Sequence, residues 1–173
     1  MPTEMNKTLT LTLFESAARI SEVLDLRIGD VEFDYVRDED NKPTLIATLH
    51  FGRVKGDIQK QPVVLSMFAA ELKHWIGYHP YKNETTAYIF YSTRNPKTHI
   101  DPSVVWGNLK NAGIKAGIKK RVNPHWLRHA MLSYLTNQRN YNEQLLMWRA
   151  GWTNRLMARR YIIAVEKLRE RNI

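Results

Sequence analysis

His125 and Arg128 stand three residues apart in His125-Trp126-Leu127-Arg128, a spacing that puts both side chains on one face of a helix. Downstream, Gly151-Trp152 is followed by Tyr161, nine residues after the indole. Upstream, Arg19 lies in Ala18-Arg19-Ile20-Ser21-Glu22, and Lys55 lies in a basic turn. Two arginines, a lysine, a histidine, an indole and a phenol form a set suited to moving a phosphodiester onto a tyrosine. A phosphoryl group in transfer spreads negative charge over its oxygens, so fixed cations around it lower the barrier.

Each residue taken alone has a plainer use. Arg19 reads as an exposed helix arginine paired with Glu15 or Glu22, a contact worth little for stability. The same carboxylate would also fix the guanidinium so that its fork faces a phosphate. His125 and His129 are four apart, which raises the question of a metal. Arg128 beside them would repel a dication, and residues 122–142 contain no Asp or Glu to serve as a third ligand, so no metal site is assigned. Trp152 is either a packed indole or a single N–H donor for a phosphate oxygen. Trp106, Trp126 and Trp148 read as packing residues. Tyr161 is one of eight tyrosines, set apart by Arg155, Arg159 and Arg160 on the same predicted helix. Its phenol has an ordinary pKa of about 10, so forming the phenolate at neutral pH costs about 4 kcal/mol, which nearby cations and a base must offset. Lys55 sits at a hairpin tip, where lysine is a movable charge with protons to give; Lys60 competes for that role.

Those groups must be positioned by a chain of 173 residues, enough for one domain with a real core. There are no cysteines, which excludes a disulfide framework and a thiolate zinc site. No apolar run approaches the ~20 residues that cross a bilayer, and the N-terminus has no signal-peptide pattern. The chain reads as soluble and cytoplasmic or nucleoid-associated. Its net charge of +9 is unevenly placed: residues 1–118 hold 14 Lys/Arg against 14 Asp/Glu, whereas residues 119–173 hold 12 against 3. A polyanion partner and a solvated basic surface both fit that asymmetry.

Periodicity predicts a helix over residues 6–26, with Leu13, Ala17, Ile20 and Leu24 on one face and Glu15, Arg19 and Glu22 on another. Strands are expected over 31–36, 44–54 and 61–66, and a helix over 68–76 that stops at Gly77. Residues 80–100 read as irregular with a short strand at 88–91. Asp101-Pro102 and Asn123-Pro124 each place a capping side chain before a proline at the first helical position. Asn142 opens a further helix that breaks at Gly151, and Thr153 or Asn154 caps the one containing Tyr161. The fold class is therefore α+β, mostly α-helical with a small three-stranded antiparallel sheet, in a single domain.

In order along the chain, these motifs resemble the catalytic domain of the tyrosine recombinases, the phage integrase family. The residues that carry the resemblance are Ala18-Arg19-Ile20-Ser21-Glu22, Val54-Lys55-Gly56, Pro124-His125-Trp126-Leu127-Arg128-His129, Ala150-Gly151-Trp152 and Arg160-Tyr161-Ile162. The match runs over most of the chain, from about Thr8 to Val165. Trp152 stands where most members have histidine, so a hydrogen-bond donor is kept and a proton-transfer group is not. The resemblance implies site-specific recombination or integration. Tyr161 attacks a DNA phosphate and forms a 3′-phosphotyrosyl intermediate. Arg19, Arg128 and Trp152 hold the phosphate, Lys55 protonates the leaving oxygen, and His125 deprotonates Tyr161 or buttresses the phosphate. Glu22 and His129 support them, and Lys119, Lys120, Arg121, Arg155 and Arg159 lie along the DNA. No cofactor, metal or ATP is implied. The expected partner is double-stranded DNA, with four copies of the protein on two paired duplexes and a monomer as the isolated fragment, and no membrane is involved. The family also has a separate N-terminal DNA-gripping domain, so the chain reads as a catalytic-domain fragment, residues 1–173. The alternatives are a type IB topoisomerase-like DNA-relaxing enzyme, with the same chemistry, and a DNA-binding module without catalysis.

Overall fold

The computed structural model describes residues 2–38, 40–52, 61–138, 142–152, 154–156, 158–159 and 162–163. Helices α1 (Pro2–Ser16) and α2 (Ile20–Leu24) lead through a short 3-10 turn at Ile28–Asp30 into strands β1 (Val31–Arg37), β2 (Pro43–Leu49) and β3 (Val63–Leu65). Helices α3 (Ala69–Gly77), α4 (Pro102–Lys115), α5 (Pro124–Thr136) and α6 (Glu143–Ala150) follow. The expected architecture is present: a mostly helical chain with one antiparallel sheet in the order β1-β2-β3.

Helix α1 is the central element. Met5, Leu9 and Leu13 recur every fourth residue and are all buried, and the helix packs against α5, α3 and β3. The main core joins this stripe to Ala47, Leu49, Val63 and Leu65 of the sheet and to Leu72 and Trp75 of α3. A smaller cluster gathers Ala17, Met131, Leu132, Leu146 and Ala150, with Trp152 and Ile162 packed against it.

The first helix is not continuous over 6–26. It ends at Ser16, and Ala17 adopts a left-handed φ of 50°, a conformation that costs an L-residue about 1–2 kcal/mol. Local hydrogen bonds hold the break. The Ser16 hydroxyl accepts from the Ala18 amide at 3.2 Å, and Glu22 Oε2 accepts from the Arg19 amide at 2.7 Å. Glu22 thus restarts the helix as α2, in the manner of the acidic arm of a capping box. Strand β2 also ends earlier than expected, at Leu49 rather than residue 54. The His50 amide turns to the Asp30 carbonyl at 2.9 Å, and Phe51 drops into the core at 5 % exposure.

Residues 88–91 form two isolated bridges, Arg27 with Tyr88 and Tyr91 with His99, rather than a strand. Ile89 and Phe90 are both fully buried, so this segment lacks the alternation of a half-buried strand. Its backbone is held by side chains: Trp75 Nε1 donates to the Ile89 carbonyl at 3.0 Å. His79 Nδ1 accepts from the Tyr81 amide at 3.1 Å, which places the ring proton on Nε2, 3.1 Å from the Tyr88 carbonyl. Burial pushes the His79 pKa below its ordinary value of 6.5. A histidine depressed in the folded state favours unfolding once it must take a proton, so its contribution is complete above the unfolded pKa and fades as the pH falls below it. We expect the thermal midpoint to drop between pH 7 and pH 5, and His79→Leu to remove much of that dependence while costing about 1–3 kcal/mol for the orphaned partners. An unchanged pH dependence in the variant would refute this assignment.

The two Asn/Asp-Pro starts behave as read. Asp101 accepts from the Ser103 amide at 2.7 Å and Asn123 from the Trp126 amide at 2.9 Å. Between them, Gly113 lets the returning chain close on α4: a Cβ there would lie 2.6 Å from Val122 Cγ2. This contact brings Asn123 and Pro124 back against the body of the fold and sets where α5 begins.

Candidate active site

Helix α5 carries His125, Arg128 and His129 across the end of α1, and Arg128 is drawn inward to 6 % exposure. One guanidinium nitrogen, Nη1, donates to the Ala17 carbonyl, and Nη2 donates to the Ala150 carbonyl at 2.6 Å. Ala17 closes α1 and Ala150 is the last residue of α6, so the cation sits between two helix C-termini, whose unpaired carbonyls carry partial negative charge. That setting offsets the several kcal/mol it costs to bury a charge. It also fixes the plane of the fork. The left-handed turn at Ala17 therefore has a purpose visible in the structure: it presents the carbonyl that Arg128 needs.

Arg19 faces the same place from the restarted helix. Its Nη1 lies 3.0 Å from Glu22 Oε1, with side-chain exposures of 51 % for Arg19 and 9 % for Glu22. Of the two carboxylates proposed for it, Glu22 is the partner. Glu15 is committed elsewhere, accepting from the backbone amides of Ser66, Met67 and Phe68. Glu22 thus binds both the amide and the guanidinium of Arg19, which orients the fork while leaving it open to solvent.

Trp152 arrives through the end of α6. Gly151 takes a left-handed φ of 63°, and the Trp152 amide reaches back to the Met147 carbonyl at 2.9 Å, the long bond of a Schellman turn. The half-buried indole packs against the cluster of Ala17 and Leu132. His125 and His129 are exposed on successive turns of α5, with ring centroids 5.2 Å apart at 83°. Partial loss of water around the inner side of the ring, then His125, then the Arg128 charge each push the His129 pKa below its ordinary value.

Arg19, His125, Arg128, His129 and Trp152 all line one pocket of about 700 Å³. A second cavity of about 490 Å³, around Arg27, Tyr88 and Lys97, contains none of the residues singled out from the sequence. Lys55, its rival Lys60, and Tyr161 lie outside the described residues. Lys119, Lys120 and Arg121 are exposed in the α4–α5 connection, tied to the pocket rim where Asn123 Nδ2 donates to the Arg121 carbonyl at 3.4 Å. Arg155 and Arg159 are exposed in the helical residues beyond Asn154, whose side chain accepts from the Leu156 amide at 2.8 Å. They do not line the pocket.

Two pocket residues escape sequence reasoning. Trp106 lines the pocket at 39 % exposure rather than serving only to pack. The signal was available, because the buried positions of α4 are Val105, Leu109 and Gly113, and Trp106 lies off that stripe. Asn123 both caps α5 and lines the pocket.

The family model described as "Phage integrase family" matches residues 2–167. A tyrosine recombinase XerD from Chlamydia trachomatis serovar D is 32 % identical over 128 residues, covering 73 % of this chain and 38 % of the relative. A tyrosine recombinase XerA from Pyrococcus furiosus is 30 % identical over 131 residues, covering 75 % of this chain and 40 % of the relative. The chain thus spans about two-fifths of the length of these relatives. Among solved structures, XerH site-specific recombinase bound to difH substrate in a pre-cleavage complex superimposes with a TM-score of 0.67 at 21 % identity, over 91 % of this chain and 42 % of that one. XerA recombinase gives a TM-score of 0.67 at 19 % identity, over 98 % of this chain and 57 % of that one. These two likenesses show a common fold.

Proposed function

The chain belongs to the phage integrase family, and from that premise we propose that it is the catalytic domain of a site-specific recombinase or integrase, cleaving and rejoining duplex DNA through a 3′-phosphotyrosyl intermediate. The observation that carries this reading is the convergence of Arg19, His125, Arg128 and Trp152, from opposite ends of the chain, on one pocket. Tyr161 lies outside the described residues, yet its chain neighbour Ile162 packs against the cluster that also holds Ala17 and Trp152.

In the proposed reaction the Tyr161 phenolate oxygen attacks a backbone phosphorus. The bond from phosphorus to the 5′ oxygen breaks, and Lys55, with Lys60 as the competing choice, gives that oxygen its proton. Arg19 and Arg128 bind the non-bridging oxygens, and the Trp152 indole N–H supplies a third donor. His125 takes the phenol proton or braces the phosphate. The phosphotyrosine conserves the energy of the broken diester, so a 5′-hydroxyl from a second duplex can displace Tyr161 without ATP. Fixed side-chain cations act where other phosphoryl-transfer enzymes place a metal. Lys119, Lys120, Arg121, Arg155 and Arg159 contact flanking phosphates, which makes affinity fall with salt. Four copies assemble on two paired duplexes, a single copy is present off DNA, and the working location is the cytoplasmic nucleoid.

The test is a nicked duplex from which the short 5′-hydroxyl strand escapes after cleavage. Protein that stays joined to DNA in detergent and EDTA is the expected result. Wild-type protein that binds the duplex and yields no such adduct would overturn the reading in favour of a binding module. On a supercoiled plasmid, relaxed circles without strand exchange would favour the topoisomerase-like alternative.

A further inference from the structure

Arg149 lies outside the pocket lining, yet it ties together the segments that aim the pocket's groups. Its Nη2 donates to the Glu15 carbonyl at 2.6 Å and its Nη1 to the Val64 carbonyl at 2.9 Å. Glu15 is 2 % exposed, and its carboxylate accepts from the amides of Ser66, Met67 and Phe68 at 2.6, 2.8 and 2.8 Å. One guanidinium and one carboxylate thus join the end of α1, the end of β3 and the end of α6.

Two of these segments are the ones that hold Arg128. Its carbonyl partners are Ala17 and Ala150; Ala17 is two residues beyond Glu15, and Ala150 directly follows Arg149. Arg19 lies two residues beyond Ala17, and Trp152 two residues beyond Ala150. The spacing between the α1 and α6 termini therefore decides where the Arg128 fork points and where Arg19 and Trp152 start. Helix α1 ends without a glycine, and Arg149 takes the place of a C-cap by satisfying one of its last carbonyls.

We propose that Arg149 and Glu15 are positioning residues for strand transfer: by clamping the α1 and α6 termini to each other and to β3, they fix the two carbonyls that orient Arg128 toward the phosphate. The proposal rests on the functional reading above and adds residues that neither enter the pocket nor meet the DNA phosphate. Preorganised donors are sensitive to small displacements, and a shift of about 1 Å costs on the order of 100-fold in rate.

The experiment measures the single-turnover rate constant of adduct formation on the nicked duplex at saturating protein, for the full chain and for Arg149→Leu, Arg149→Lys and Glu15→Gln. A rate constant, unlike an end-point yield, does not depend on what fraction of the protein is folded. DNA affinity is measured in parallel by fluorescence anisotropy. The leucine variant should react about 10–100-fold more slowly with affinity changed less than about 2-fold, and lysine, which keeps the charge but reaches one carbonyl, should fall between. Glu15→Gln, which keeps the shape and loses the charge, should also slow the step. In an Arg128→Lys background the penalty of Arg149→Leu should shrink to less than about 3-fold, because residues acting through one another are not additive. Rate constants equal to wild type, losses of rate matched by losses of affinity, or full additivity with Arg128→Lys would overturn the proposal. If the leucine variant does not fold, the lysine and glutamine variants decide the same question. Wild-type protein that forms no adduct sinks the functional reading and this one with it. Wild-type protein that reacts, alongside Arg149→Lys and Glu15→Gln variants that react equally fast, sinks only this one.

Discussion

Tyr161→Phe is expected to leave no DNA-linked protein on the nicked duplex, at any pH, while the thermal midpoint and the DNA affinity stay close to those of the wild type. The change deletes one oxygen and keeps the ring, so it removes the proposed nucleophile while leaving the rest of the side chain in place. Among the described residues no tyrosine lines the pocket. A phenol at pH 7 is about 4 kcal/mol from its phenolate, and that gap closes only where cations stabilise the anion. The pocket gathers such charges in Arg19 and Arg128, with His125 beside them. Tyr134 is 50 % exposed on α5 and does not line that pocket, so it gains no such help. The measurement is denaturing gel mobility of labelled DNA after detergent treatment. A shifted band that survives in Tyr161→Phe would remove Tyr161 from its role and make Tyr134→Phe the next variant to examine.

What could be read in the sequence was local. Asp101-Pro102, Asn123-Pro124 and Asn142 announce helix starts because the capping oxygen and the amide it accepts from are two or three residues apart. The pairing of Arg19 with Glu22 is legible for the same reason. The sheet is legible because β1 and β2 are joined by a short polar turn, with Val31 opposite Leu49 and Arg37 opposite Pro43. The parts that could not be read depend on partners distant in the chain. Helical periodicity runs unbroken through Ala17, so nothing local announces its left-handed turn; the reason for it is an arginine on α5 that takes its carbonyl. Glu15 has the spacing of a solvent-facing partner for Arg19, yet it is buried because the amides after β3 need an acceptor. Ordered motifs named Arg19, His125, Arg128, His129 and Trp152, which line the pocket, and long-range hydrogen bonds decided how Arg128 is oriented.

The two arginines of the clamp should respond to mutation in different ways, although each is assigned the same chemical task. Arg128→Ala strips a side chain that is 6 % exposed and leaves the Ala17 and Ala150 carbonyls without the donors that now satisfy them. An orphaned buried acceptor costs about 1–3 kcal/mol, so a loss of about 2–5 kcal/mol of stability is expected, together with a fall of at least about 10³-fold in the adduct rate constant. Arg128→Lys keeps a charge but cannot reach both carbonyls and a phosphate at once, because an ammonium is a compact point donor on a flexible stem. It should recover part of the stability and little of the rate. Arg19 is half exposed and paired with Glu22 at the surface, an arrangement worth about 0–1 kcal/mol. Arg19→Ala should therefore cost a comparable factor in rate, about 10²–10³-fold, with little change in the unfolding midpoint. Chemical denaturation and single-turnover kinetics on the same preparations separate the two effects. If Arg19→Ala destabilises the fold as much as Arg128→Ala, or if Arg128→Ala reacts at the wild-type rate, then the buried guanidinium is a structural brace rather than a phosphate ligand with two helix ends behind it.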